Sequence, residues 1–383
     1  MPPANSNTIS RRGLLTAIAG ASFARPFSPA FGEPAQAEAL PPLVEPGLAM
    51  LAAKKGLLFG TVMQRRLRTD LRQQALYQHE CSLLVTAYGH WDTVSPQPGK
   101  FDPSLSDSVV AIAARYRKKL RGHCLVWHGR LPKWFAELPS RDAAVNAMRD
   151  HIVQVGQHYA GQMHSWDVVN EALQPAERKP FGLRTTPLVE KIGPDFIDIA
   201  FSAAREADPK AILTYNDFYL EFDIPDHRNR RNALLQMIDG MRKRNTPVDA
   251  VGIQSHIDLA DMPRFNEQIF AEFLSELAKR DLKIIISEFD VNDRVAPADT
   301  KERDRQVADA TKRYLSVALD NPQVIALITW GLMDDDSWIT RGQLPAFIRP
   351  DSLRPRPLPF DDDFRPKPMY DAMVTAINAA PVR

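Results

Sequence analysis

Leu282-Lys283-Ile284-Ile285-Ile286-Ser287-Glu288 sets three isoleucines in a row and ends on a glutamate. A strand with one wet face alternates apolar and polar residues; a continuous apolar run belongs to a parallel strand covered on both faces. Seven further runs of similar length resemble it: 57–62, 82–86, 120–127, 164–170, 211–216, 249–254 and 324–330. Helical patterns lie between them. Residues 141–159 follow Ser140, a residue type suited to an N-cap, and place Val145, Met148, Ile152 and Val155 on one face. Residues 265–279 do the same with Phe265, Ile269, Phe273, Leu274 and Leu277. Eight strands alternating with helices predict the α/β class and a single (β/α)8 TIM barrel spanning 57–383. An open doubly wound sheet is the alternative. It lacks support, because Gly60 stands alone after the first run where a glycine-rich phosphate loop would be needed.

The chain has 383 residues, 44% hydrophobic and 25% charged, enough apolar surface for one large core. Forty-eight Lys and Arg nearly balance 47 Asp and Glu, which argues against a nucleic-acid partner. Two cysteines, Cys81 and Cys124, exclude a disulfide framework and a four-thiolate zinc site, although a single bond between them stays open. Ser10-Arg11-Arg12-Gly13-Leu14-Leu15 opens an apolar run too short for a membrane anchor, which needs ~20 residues. Paired arginines before such a run read as a twin-arginine export signal over 1–37, with Ala35-Gln36-Ala37 as a cleavage site and 38–56 as an extension. The mature protein is then expected to be periplasmic or secreted, monomeric and without a membrane anchor.

In such a barrel, chemistry sits at the C-terminal ends of the strands. Trp127-His128, Asn170-Glu171, Asn216-Asp217, Gln254-Ser255-His256, Glu288 and Trp330 all fall there. Burying so many polar groups costs free energy unless they are paired or used. Glu171 and Glu288, on the fourth and seventh strands, face each other across the mouth. Glycosidic cleavage needs two such carboxyl groups, one to protonate the leaving oxygen and one to attack the anomeric carbon. Ion pairing of these glutamates with Arg121 or Lys283 is the other reading. Trp166 reads as core. His123 could be a core histidine. His123 and His128, five apart with no third ligand at metal spacing, argue against zinc. Asp334-Asp335-Asp336 reads as a solvated loop, and residues 349–359 as a rigid surface loop.

Five motifs, in order, carry a family resemblance: Arg121-Gly122-His123-Cys124-Leu125-Val126-Trp127-His128, Trp166-Asp167-Val168-Val169-Asn170-Glu171, Gly252-Ile253-Gln254-Ser255-His256, Ile286-Ser287-Glu288-Phe289-Asp290, and Thr329-Trp330-Gly331 with Ser337-Trp338. Together they resemble glycoside hydrolase family 10, the retaining endo-1,4-β-xylanases, over about 57–377. The resemblance implies Glu171 as acid/base and Glu288 as nucleophile. It implies His256 bonded to Glu288 and oriented by Asp290, and Asn170 on the sugar 2-hydroxyl. His123, Trp127, His128, Asn216, Gln254, Trp330 and Trp338 are implied as sugar contacts. No cofactor and no metal are implied; the partner is a polysaccharide, xylan or a related β-glycan.

The resemblance breaks on the sugar-binding side. Where the family carries Glu-Asn, two residues and Lys-Trp, this chain has Thr86-Ala87-Tyr88-Gly89-His90-Trp91. Trp91 survives, His90 stands for a lysine, Arg130 for a glutamine and Phe218 for a tyrosine. These substitutions are expected to line the substrate cleft, with His90 and Arg130 suited to an acidic sugar substituent. A different or decorated β-glycan, and a barrel that binds polysaccharide without cleaving it, remain alternatives.

Overall fold

The computed structural model describes residues 43–341 and 347–383. The expected export signal over 1–37 lies outside them. Eight parallel strands form a closed barrel: β1 Leu58–Val62, β2 Leu83–Thr86, β3 Lys119–Gly122, β4 Met163–Asn170, β5 Ile212–Asp217, β6 Ala250–Ile253, β7 Lys283–Asn292 and β8 Val324–Thr329. Each pairs in parallel with the next, β8 pairs with β1, and the cylinder is complete. Every strand coincides with one of the eight apolar runs.

The all-apolar strands divide their side chains between two cores. Ile284 and Ile286 join the large layer packed under the helices, while Ile285 points the other way, with Val62, Leu83, Val85, Ala250, Ala326 and Ile328. Period-two geometry makes this division unavoidable, so a strand buried on both faces must be apolar at odd and even positions alike. The helix Arg141–His158 begins where expected, with Ser140 Oγ accepting from the Ala143 amide at 3.2 Å. Met148, Ile152 and Val155 are buried and Val145 is half-buried. The second expected helix spans Glu267–Ala278, capped by Asn266, so Phe265 lies before it. Ahead of β1, the helix Leu48–Ala53 buries Leu48 and Leu51, and the Leu48 amide donates to Glu80 at 2.8 Å.

Two runs are interrupted, and both breaks position functional groups. The third run stops at Gly122, then Val126 and Trp127 resume pairing beside Val169 and Asn170. Gly122 has no alternative: a Cβ there would stand 2.0 Å from the Trp166 ring. Trp166 itself is buried and donates to Asp208 at 3.1 Å, a core residue as expected. The sixth run stops at Ile253, and His256–Asp258 forms a separate short strand against an extended β7, pairing His256 with Asp290.

Several expectations are corrected. Trp91 is 2% exposed, stacked on His151 at 4.7 Å and edge-on to Phe135 at 5.1 Å, so it is a core residue and not a sugar platform. Asp334 and Asp336 are not solvated: Asp334 accepts from Lys367 at 2.9 Å, and Asp336 from Gln73 at 2.8 Å. Arg349 is buried too, bonded to Ala296 O and Asp351. Cys81 and Cys124 are free thiols. No helix among the described residues is long and apolar enough to cross a membrane. Trp91→Ala should therefore act as a core truncation, lowering unfolding free energy by about 3–5 kcal/mol in urea titrations. If it weakened oligosaccharide binding without changing the urea midpoint, Trp91 would be a contact residue after all.

Candidate active site

Glu171 follows directly on β4. Its backbone is left-handed, φ +57, a conformation costing about 1–3 kcal/mol for a non-glycine residue. The surrounding structure holds it there: its amide donates to Asn216 O at 2.9 Å, and Arg184 donates to its carbonyl at 3.2 Å. Its carboxyl accepts from Trp127 Nε1 at 2.9 Å and Gln254 Nε2 at 3.0 Å. Loss of water around the group, the largest influence, pushes its pKa up; the Gln254 bond opposes this, and the charges of Asp217 and Glu288 reinforce it. A raised pKa favours the protonated form of Glu171.

Glu288 lies inside β7 and is 5% exposed. It accepts from Asn216 Nδ2 at 2.7 Å, and His256 Nε2 stands 3.4 Å from its other oxygen. Burial alone would raise its pKa. The His256 hydrogen bond, the charges of His123 and His256, and the Asn216 bond together overcome burial and hold it below the ordinary carboxyl range. His256 is able to do this because it is itself held cationic. Burial opposes its charge, but Asp290, with Oδ1 3.0 Å from Nδ1, and Glu288 raise it to about 10. Trp338 Nε1 donates to the other Asp290 oxygen at 2.8 Å and fixes that carboxylate in turn.

The two glutamates share one hydrogen-bonded line. From Glu288 it runs through Asn216 to Asn170 Oδ1 at 2.9 Å, then through Gln254 at 3.3 Å to Glu171. Gly252 makes room for it, since a Cβ there would meet Asn216 Oδ1 at 2.1 Å. Asn170 Nδ2 is buried and has no hydrogen-bond partner among the described residues. The ion-pair reading fails: Arg121 is committed to Asp167 and Ser165, and Lys283 is exposed at the opposite end of β7.

The structure gathers His90, His123, Trp127, Asn170, Asn216, Gln254, His256, Asp290, Trp330 and Trp338 around this pair. His123 packs 5.1 Å from the half-buried Trp330 ring, and His90 packs 5.7 Å from Trp127. His128 is half-buried behind Trp127. Phe218 lies farther out, under the Arg230 guanidinium at 4.4 Å. The expected positive charges for an acidic substituent are not available. Arg130 is taken up by Asp92 at 2.7 Å and Thr93 at 2.8 Å. Burial, with the nearby charges of His123 and Arg130, pushes His90 well below its ordinary pKa, so it is neutral. Asn216, expected as a sugar contact, is buried and donates to both Asn170 and Glu288. Sequence reasoning passed over Asp167, which binds both Arg121 and His123. A charged residue inside an apolar run was the available signal.

The Glycosyl hydrolase family 10 sequence model matches residues 47–376. The chain belongs to this family. Among family 10 relatives, endo-1,4-beta-xylanase B of Thermotoga neapolitana is 32% identical over 286 residues, covering 74% of this chain and 76% of that protein. Endo-1,4-beta-xylanase 5 of Pyricularia oryzae is 30% identical over 345 residues, covering 87% and 79%. Native xylanase 10B from Thermotoga maritima superposes with a TM-score of 0.77 at 30% identity, over 86% of this chain and 98% of that one. As a family 10 member, the chain is a glycoside hydrolase.

His256→Gln should remove the strongest influence holding Glu288 ionised. A higher Glu288 pKa moves the acidic limb of kcat/KM to higher pH, and a pH-rate profile reads the shift. An acidic limb unchanged from wild type would show that His256 does not set the Glu288 charge.

Proposed function

We propose that the chain is a retaining endo-1,4-β-xylanase that cleaves internal β-1,4 bonds of xylan by double displacement. One observation carries the mechanism: two glutamates share one hydrogen-bonded line, with the Asp290-held His256 beside Glu288 and only neutral donors on the Glu171 carboxyl, an arrangement that displaces their pKa values in opposite directions. The relatives named above support the substrate, as does the 29% identical xylanase 10B from Thermotoga petrophila in complex with xylobiose, with a TM-score of 0.77 over 88% of this chain.

Glu171 enters protonated and Glu288 ionised. Glu171 gives its proton to the glycosidic oxygen as that bond to the anomeric carbon breaks. Glu288 attacks the same carbon and forms a glycosyl ester. The ester carries no negative charge, so one influence raising the Glu171 pKa is gone. Glu171, now ionised, takes a proton from water while the water oxygen attacks the anomeric carbon. Glu288 departs with its electron pair, and two inversions give net retention.

His256, held by Asp290 and Trp338, keeps the nucleophile charged and in one orientation. The unpartnered Asn170 Nδ2 is a donor for the sugar 2-hydroxyl, a contact that strengthens toward the transition state. Trp127, Trp330 and Trp338 offer ring faces to the sugars. We extend the proposal to export through the Arg11–Arg12 segment, which would bring the enzyme to an extracytoplasmic polysaccharide. A barrel that merely held polysaccharide would gain nothing from splitting the two pKa values.

Xylan hydrolysis followed by proton NMR should yield the β-anomer first, with the α-anomer growing only by mutarotation. Glu171→Gln should slow xylan cleavage by about 10²–10⁴-fold. Glu288→Ala should abolish turnover yet still bind xylo-oligosaccharide. First release of the α-anomer would contradict double displacement.

A further inference from the structure

His90, His123 and Cys124 form a compact set of potential metal ligands beside the carboxylate pair. One ligand atom from each lies within 4.8 Å of the others, and all three side chains are buried. His90 follows β2, while His123 and Cys124 follow β3, so the cluster joins two adjacent strand ends. The sequence reading missed it because linear spacing compared His123 only with His128.

The set has the features of a built ligand sphere. His123 Nδ1 lies 3.0 Å from Asp167, so Nε2 is the ring nitrogen that a metal ion would take. A carboxylate on one imidazole nitrogen orients the ring and strengthens the other nitrogen as a metal ligand. Arg121 fixes Asp167 from behind. The His90 ring stands edge-on to His123 with centroids 5.5 Å apart. Cys124 brings a thiol that forms no disulfide.

We propose that His90, His123 and Cys124 bind one borderline-soft divalent cation of the Zn²⁺ class, and that the bound ion shuts the cleft. Two imidazoles and a thiolate suit Zn²⁺, Co²⁺ or Cd²⁺ and disfavour Mg²⁺ or Ca²⁺, which take oxygen ligands. Bond lengths of about 2.0–2.3 Å place tetrahedral ligand atoms about 3.3–3.8 Å apart, so side-chain rotations of modest size complete the site. As the metal bonds form, the Cys124 S–H breaks and the cationic His123 also gives up its Nε2 proton, both protons passing to water; no electron is transferred. Three protein ligands leave a fourth position for water. Closure of the cleft rests on the proposed xylanase reading: the ion would engage His90 and His123, and His123 Nδ1 is 4.0 Å from Glu288.

Titrating Co²⁺ alone into the metal-free full chain tests the site directly. One equivalent should produce thiolate-to-cobalt charge-transfer absorption together with the d–d bands of a four-coordinate ion, and Zn²⁺ should displace it. Cys124→Ser should lose the charge-transfer band and bind Co²⁺ more than about tenfold more weakly. Cys81→Ser, at the other cysteine, should keep both. Should the serine variant fail to fold, Cys124→Thr and Cys124→Ala carry the same expectation. In xylan assays Zn²⁺ should inhibit the wild type and a chelator should reverse it. Cys124→Ser should keep the basal rate and need more than about tenfold more Zn²⁺. A missing charge-transfer band, or one that survives loss of Cys124, overturns the site. A Cys124-dependent band with Zn²⁺-indifferent hydrolysis overturns the link to catalysis. The band in a chain inactive on xylan would reject the xylanase reading and leave the metal site standing.

Discussion

The contact between His256 and Glu288 is the interaction on which the site depends. Two carboxyl groups at one barrel mouth repel each other's charge, and burial presses both toward the neutral acid. A buried cation beside one of them breaks that symmetry. His256 serves because Asp290 keeps it charged, and Asp290 is held by Trp338. Each unit of pKa difference is worth about 1.4 kcal/mol, so a modest arrangement of neighbours can keep one acid ionised and the other protonated. Glu171, facing Asp217 and Glu288 instead of a cation, is left with the proton.

The barrel exists to hold that asymmetry still. β7 runs past Glu288 to Asn292, and this extension lets His256–Asp258 pair beside it, bringing His256 opposite Asp290. Gly252 allows Asn216 to approach, and Asn216 then ties the nucleophile to Asn170. The left-handed turn at Glu171 aims its carboxyl toward Trp127 and Gln254. Backbone strain, a glycine and an interrupted strand thus serve one small hydrogen-bonded line.

The barrel was legible in the sequence because a parallel strand buried on both faces leaves an apolar run, and eight such runs have few other packings. Glu171, Glu288 and His256 were legible because polar groups at strand ends demand a use, whereas Asp290 was implied only by the family resemblance. The strand breaks at His123 and Gln254 were not, since residue alternation does not register where a chain leaves its neighbour. Trp91 was misplaced because its burial depends on His151 and Phe135, which lie far away in sequence. The pairing of Arg130 with Asp92 is likewise hidden in the sequence, because the two residues stand 38 positions apart. The grouping of His90 with Cys124 belongs to three dimensions alone. The substitution at His90, packed on Trp127 and His123, therefore alters the cleft wall while the catalytic line stays intact.

Carbon-13 NMR titration of the glutamate side-chain carboxyls, assigned with Glu171→Gln and Glu288→Gln, tests the central claim most directly. In the free enzyme Glu288 should lose its proton below the ordinary carboxyl range and Glu171 above it. After the nucleophile is trapped as a 2-fluoro-glycosyl ester, the Glu171 titration should move to lower pH. Two glutamates titrating together in the ordinary range, or in the reverse order, would contradict the account.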